Sequence, residues 1–338
     1  MNKKRVLAML LAGAMALSMT ACGGNSASTD DSSNDGGASA SGGSYKVSVI
    51  LKTLAAEYWQ YVKSGAEDYA SEHSDKVTVE VKGPSSETAF DEMQNMIETD
   101  LSSGSYDGVI ISPLQSDTAA QLVSGTKLPI VAIDTNFTAP EVKSFVGTGN
   151  EAAAKKGGEA AVEAAKAAGW TDIKCIEIAG VQGDQTNTAR MNGYKAGVEE
   201  AGGTFRSDEV QYADATADRA TTAMEAIMQT HPEGIAIICA NNDDMAMAAA
   251  RAAQGHDAYK NTIFLGFNGD RAACEAILAG QMTMSVAQMA YEMGYKAVET
   301  MVQVLDGETV DEFVDSGSDV VTPDNAQERL DTLKTQLH

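Results

Sequence analysis

From Tyr45 onward, short apolar runs rich in β-branched residues alternate with longer stretches of helical spacing. The runs "YKVSVIL", "VTVEVK", "GVIIS", "PIVAID" and "SFVG" read as strands. Between them apolar residues recur at three- and four-residue intervals, as at Ala66, Tyr69 and Ala70 or at Met93, Met96 and Ile97, which is one face of a helix. After Gly149 the alternation starts again. It predicts helices over 150–168, 186–201, 216–229 and 242–254, with strands over 172–179, near 209–212, over 235–240 and over 262–267. Short buried strands separated by helices form parallel sheets covered on both faces. Two successive sets of about five strands predict an α/β protein of two doubly wound lobes.

That architecture tells where chemistry should sit, because ligands of open parallel sheets bind beyond the carboxyl ends of the strands. The residues following the apolar runs are Lys52, Ser112, Asp134, Gln182, Asn241, Asn242 and Asn268. Carboxylate, amides and one ammonium therefore collect at the two ligand-binding edges. Asn and Asp also favour helix caps, and Asp243, at a helix start, reads as one. Asp134 is not followed at once by a strong helix start, so capping accounts for it less well.

Before Tyr45 the pattern changes. "MNKKRVLAMLLAGAMALSMTACGG" has three basic residues, an apolar run of roughly a dozen residues and small residues before Cys22, the layout of a secretory signal. A cysteine after Thr20 and Ala21 reads as a lipoprotein signal, 1–21, cut so that the Cys22 thiol carries the lipid; Met19 stands where that pattern most often has Leu. Residues 22–44 contain no large apolar side chain and are expected to be a flexible Gly/Ser/Asp tether. Together they predict an extracytoplasmic protein held at a membrane by its lipid.

Charge narrows the partners. With 48 acidic and 24 basic residues among 338, the formal charge is −24, which repels phosphate backbones and argues against nucleic acid. Cys175, Cys239 and Cys274 lie in apolar or helical runs and read as buried thiols, with a single disulfide as the alternative. The histidines, at 73, 231, 256 and 338, lack metal-ligand spacing, and no cofactor is expected.

The segments "VILKTLAAEYWQYVKSG", "GVIISPLQSDTA", "ARMNGY", "IICANNDDMAMAA", "FLGFNG" and "GQMTMSVAQ" fall, in order and spacing, as in the periplasmic ribose/allose-type sugar-binding proteins, which the chain resembles from Tyr45 to about Asn325. The resemblance implies a monomeric substrate-binding subunit of an ABC importer, without catalytic activity, that closes two lobes on one monosaccharide and presents it to a permease. It implies crossings near 147–150, 288–290 and 313–318, hence a first lobe of 45–148 with 289–314 and a second of 149–288 with 315–338. By motif position it implies that Tyr58 and Trp59 cover a sugar face, that Arg190 donates a planar fork to hydroxyls, and that Asp134, Asn242, Asn268 and Gln288 bind others. Lys52 and Glu87 match the allose-type branch, although such a pair can equally be a surface ion pair. Trp59 also begins an apolar stripe with Val62, Ala66 and Tyr69, so a core role competes, while Tyr58 projects from another side of the helix.

The chain departs from the family at Ala56 and Ala215, which replace an Asn and an aromatic ring, and at Asn268, which replaces an Asp. A roomier pocket lacking a charged acceptor points away from ribose, toward another hexose, a substituted sugar or a polyol. Val146–Ala152 matches the dinucleotide fingerprint, but the next strand ends without an acid. No hydrolase elbow or Walker loop occurs. A sensory binding protein docking a membrane receptor or kinase, or the same scaffold with a nucleoside, amino acid or furanose ligand, stays open at this level.

Overall fold

The computed structural model describes residues 44–337; Cys22, the leader and nearly all of the tether lie outside them. Strands β1 (Tyr45–Ile50), β2 (Val77–Lys82), β3 (Gly108–Ile111), β4 (Ile130–Ile133), β5 (Val142–Gly147) and β12 (Phe313–Asp315) form the first sheet. Its spatial order is β12-β5-β4-β3-β1-β2, and every pairing is parallel. The second sheet contains β6 (Lys174–Ala179), β7 (Thr204–Phe205), β8 (Gln211–Tyr212), β9 (Ile237–Ala240), β10 (Ile263–Asn268), β11 (Met284–Gln288) and β13 (Ser318–Val321). Its order is β13-β11-β10-β9-β6-β7, with β8 also paired to β6. The pairing of β11 with β13 is antiparallel, which the alternation alone did not predict. It follows from the chain re-entering this sheet through a short link from β12 rather than through a crossover helix.

Helices cover both faces of each sheet. In the first lobe α1 (Glu57–Glu72) and α9 (Ala290–Leu305) pack on one face, while α2 (Phe90–Ser103) and α3 (Ser116–Val123) pack on the other. The strands are buried on both sides, which is why they read as continuous Val/Ile runs rather than alternating ones. Val49, Ile110, Val131 and Ile133 face Val62, Ala66 and Met293, whereas Ile50, Val109 and Ile111 face Met93, Ile97 and Val123. In the second lobe α4 (Asn150–Ala167) and α5 (Gln185–Glu200) cover one face. The other is covered by α6 (Ala217–Thr230), α7 (Asp243–Ala253) and α8 (Arg271–Leu278), and α10 (Ala326–Gln336) packs on α8.

Helices α1 and α9 lie so close that only glycine fits at two reciprocal positions. A Cβ at Gly65 of α1 would run into the Tyr291 carbonyl, and one at Gly294 of α9 into the Val62 carbonyl. The thiols of Cys175, Cys239 and Cys274 are buried and free, with Cys175 Sγ 3.4 Å from Cys239 Sγ. No helix among the described residues is long and apolar enough to cross a membrane.

The chain passes between the sheets after β5, after β11 and between β12 and β13. The first and third passages are tied by the buried hydroxyls of Thr148 and Ser316, 3.4 Å apart. Arg329 of α10 braces the second by donating from Nη2 to the Gln288 carbonyl at 2.7 Å.

Candidate functional site

The carboxyl ends of both sheets open onto one cavity of about 550 Å³, within the range of small-molecule sites. Its lining includes Lys52, Tyr58, Trp59, Glu87, Asp134, Arg190, Asn242, Asn268 and Gln288, the nine ligand-site candidates from the sequence. Ala56 and Ala215 are there too.

The first-lobe wall is built around the start of α1. Tyr58 donates from its hydroxyl to Asp134 Oδ1 at 2.8 Å, and burial together with that carboxylate pushes the phenol well above its ordinary pKa. Asp134 follows β4 directly, with φ of 62°, a left-handed conformation that a non-glycine residue adopts at some cost. Its amide donates to the Val146 carbonyl, and Thr135 Oγ1 donates to its Oδ2 at 2.9 Å. Trp59 meets Tyr58 edge to face, with centroids 4.9 Å apart, and its Nε1 donates to Glu87 Oε1 at 2.8 Å. Trp59 thus packs in the buried cluster with Val62, Ala66 and Tyr69 and lines the cavity as well, so its two sequence readings are compatible.

Lys52 does not pair with Glu87 in the way the sequence suggested. Its Nζ lies 3.3 Å from Asp184 Oδ2 and 4.0 Å from Asp134 Oδ2, while Glu87 takes the indole N–H. Burial pulls the ammonium pKa down, but Asp184, Asp134 and Glu87 outweigh it and leave it raised. The partner carboxyl of Asp184 moves consistently: burial raises it, and Lys52, the Asn187 amide and Arg190 bring it below its ordinary value.

The second-lobe wall centres on Arg190. Its Nε donates to Asn150 Oδ1 and its Nη1 to the Asn241 carbonyl, both at 2.8 Å, and its guanidinium lies 3.8 Å from the Phe267 ring centroid. Nη2 has no protein hydrogen-bond partner among the described residues. Asn242 caps α7 by accepting from the Met245 amide and donates from Nδ2 to the Ala215 carbonyl at 3.1 Å. Asn268, with φ of 132°, accepts from Gln288 Nε2 at 3.0 Å. Gln288 is 1% exposed and its Oε1 has no partner.

Other expectations are corrected. Asp243 is not the cap of α7; that is Asn242. Asp243 turns inward, fully buried, and accepts from the amides of Gly269 and Asp270 and from Ser285 Oγ, which fixes the loop after β10. Gln182 is exposed and outside the cavity, because the chain turns at Gly183 before entering it. Ser112 is buried at the end of β3 and is not part of the lining. Sequence reasoning missed Asp184, Thr186 and Asn187 at the start of α5, and Asp244 and Asp270. Asp184 carried a signal, since it precedes a helix as a cap does, and its Oδ1 accepts from the Asn187 amide at 2.7 Å. Its second oxygen, which reaches Lys52, was invisible because the partner lies in the other lobe.

A family model described as a periplasmic binding protein domain matches residues 47–309. The D-allose-binding periplasmic protein of Escherichia coli (strain K12) is 29% identical over 265 residues, 75% of this chain and 83% of that protein. The ribose import binding protein RbsB of the same organism is 28% identical over 268 residues, 78% of this chain and 86% of that protein. Among solved structures, a carbohydrate transporter solute-binding protein from Agrobacterium radiobacter in complex with D-arabinose superposes with a TM-score of 0.76. It is 23% identical and covers 87% of this chain and 99% of its own, which is a likeness of fold.

Proposed function

This chain belongs to the family of periplasmic binding protein domains, and from that premise we propose that it is an extracytoplasmic lipoprotein that captures one monosaccharide and delivers it to an ABC permease. The relatives described above are binding proteins rather than enzymes, and the reading assigns no catalytic residue. The observation that carries it is the composition of the cleft. Aromatic rings from the first lobe oppose a planar guanidinium and amides from the second, across a cavity of about 550 Å³.

Each group has work suited to a polyhydroxylated ring. Tyr58 and Trp59 supply stiff apolar area for the C–H face of a sugar. The free Nη2 of Arg190 donates to a hydroxyl, and the orphaned Oε1 of Gln288 accepts from one, which removes the cost of leaving it unpaired. Asp134, Asn242 and Asn268 complete the polar wall, with Lys52 and Glu87 at its side. Ala56 and Ala215 leave room for a hexose, a substituted sugar or a polyol. Ligand bridging the two lobes makes its full contacts only when they are closed, so it draws the hinge at 148–149, 289 and 316–317 toward closure. The permease then reads the closed surface, and the lipid on Cys22 keeps the monomer beside it.

Trp59 is a built-in reporter of occupancy. Titrating the protein with aldoses, ketoses, polyols, nucleosides and amino acids while following tryptophan fluorescence should give a saturable change with one or a few sugars. A response confined to a nucleoside or an amino acid would keep the fold and overturn the ligand class.

A further inference from the structure

The cleft is unbalanced in charge. Seven carboxylates line it against two cations, Lys52 and Arg190. Two of the seven are answered at the rim, Glu57 by Arg271 at 3.2 Å and Asp214 by Arg219. No cation lies within ion-pair distance of Asp244 or Asp270 among the described residues, and Asp270 Oδ1 is buried without a partner. Burial, with Asp243, Asp244 and Glu57 nearby, pushes the Asp270 carboxyl well above its ordinary range, as expected where negative charge is in excess.

Lys52 is already paired with carboxylates, and Arg190 keeps a single free donor, Nη2. Lys52 comes from the first lobe and Asp184 from the second, and their side chains are only 10% and 12% exposed. Arg190 has two of its nitrogens on protein acceptors and its face on Phe267. Its charge also acts on Asp184, where it helps to keep that carboxyl ionised.

We propose that Asp184 sets the charge selectivity of the cleft: by holding Lys52 across the lobes it keeps that ammonium from an anionic substituent and leaves Arg190 Nη2 as the one free cationic donor among the lining residues against seven carboxylates, so the site takes uncharged sugars and polyols and rejects uronates and sugar phosphates. The inference rests on the sugar-binding reading above and goes beyond it by assigning a residue to the rejection. Uncompensated like charges in a desolvated site are strongly repulsive, so discrimination arises from what the site repels as much as from what it holds.

The test uses the full chain in detergent and three matched pairs: D-glucose with D-glucuronate, D-galactose with D-galacturonate, and D-ribose with D-ribose 5-phosphate. Wild type should bind an anion at least about 100-fold more weakly than its neutral parent. Asp184→Asn keeps the helix cap, because Asn caps as well as Asp, but removes the nearest carboxylate from Lys52 and leaves it only the longer contact with Asp134 at 4.0 Å; the gap should narrow by about tenfold. Adding Lys52→Met to Asp184→Asn should restore the rejection, which a purely structural role for Asp184 would not produce. An anion bound by wild type within threefold of its parent, or a ratio unmoved by Asp184→Asn, overturns the inference. Silence toward all six compounds also overturns it, whereas the sugar reading falls only if the wider panel is silent as well.

Discussion

Arg190 shows how a single side chain is made ready before any ligand arrives. Its planar group is clamped by Asn150 and Asn241 and laid on Phe267, so little rotamer entropy would remain to be lost on the proposed contact of Nη2 with a hydroxyl. Arg190→Ala should weaken binding of the preferred sugar by about 2–5 kcal/mol, because it also leaves buried acceptors unpaired. Calorimetry would measure this, and unchanged affinity would remove Arg190 from the site. The carboxyl-end polar residues were legible in the sequence because strand ends can be read from where apolar runs stop. Their pairings were not. Glu87 and Lys52 looked like mates, yet one binds an indole N–H and the other a carboxylate from the opposite lobe.

At the scale of elements, the α1–α9 contact holds the first-lobe wall in place. Trp59 and Tyr58 ride on α1, and α1 is seated against α9 by reciprocal approaches at Gly65 and Gly294. Gly294→Ala places a methyl against the Val62 carbonyl, and since backbone cannot move aside as a side chain can, it should cost about 1–3 kcal/mol. Gly149→Ala, with open space around its Cβ position, should cost far less. Denaturant unfolding of the two variants makes the comparison. The first-lobe strand runs, and the helices and strands given ranges between residues 150 and 267, lie within about two residues of those observed. The two-residue strand β7 and the edge strands β12 and β13 did not follow from periodicity, because strands so short carry no period of their own and exist only where a neighbouring edge accepts them.

The whole molecule combines buried acids with opposite leanings. Glu177 of β6 is fully buried; burial pushes its carboxyl up to about 8, with the Asn241 amide opposing. Burial pushes the fully buried Asp243 up to about 6. Above its ordinary pKa of about 4.3, an unfolded-state Glu177 gives up its proton while the folded one keeps it until about pH 8. Stability from this group therefore falls as pH rises through that window, by about 1.4 kcal/mol per unit of displacement. Asp184, held low, works the other way and loses its contribution only on acidification. Unfolding free energy should decline from pH 5 to pH 8, and Glu177→Gln, which mimics the protonated acid, should flatten part of the decline, the raised Asp270 carboxyl contributing in the same direction; an unchanged slope would exclude Glu177 as a source. What the sequence alone determined was the alternation of strands and helices, the two lobes it generates, and a set of polar residues at strand ends. Those features are local, because periodicity records which face of an element is buried. Only the tertiary structure decided that Lys52 answers Asp184, 132 residues away in the other lobe, that Asp243 turns inward rather than capping a helix, and that Asp134 and Asn268 take positive φ. Such choices depend on how closely two separately wound sheets approach and what each leaves unpaired, and no window of neighbouring residues contains that distance.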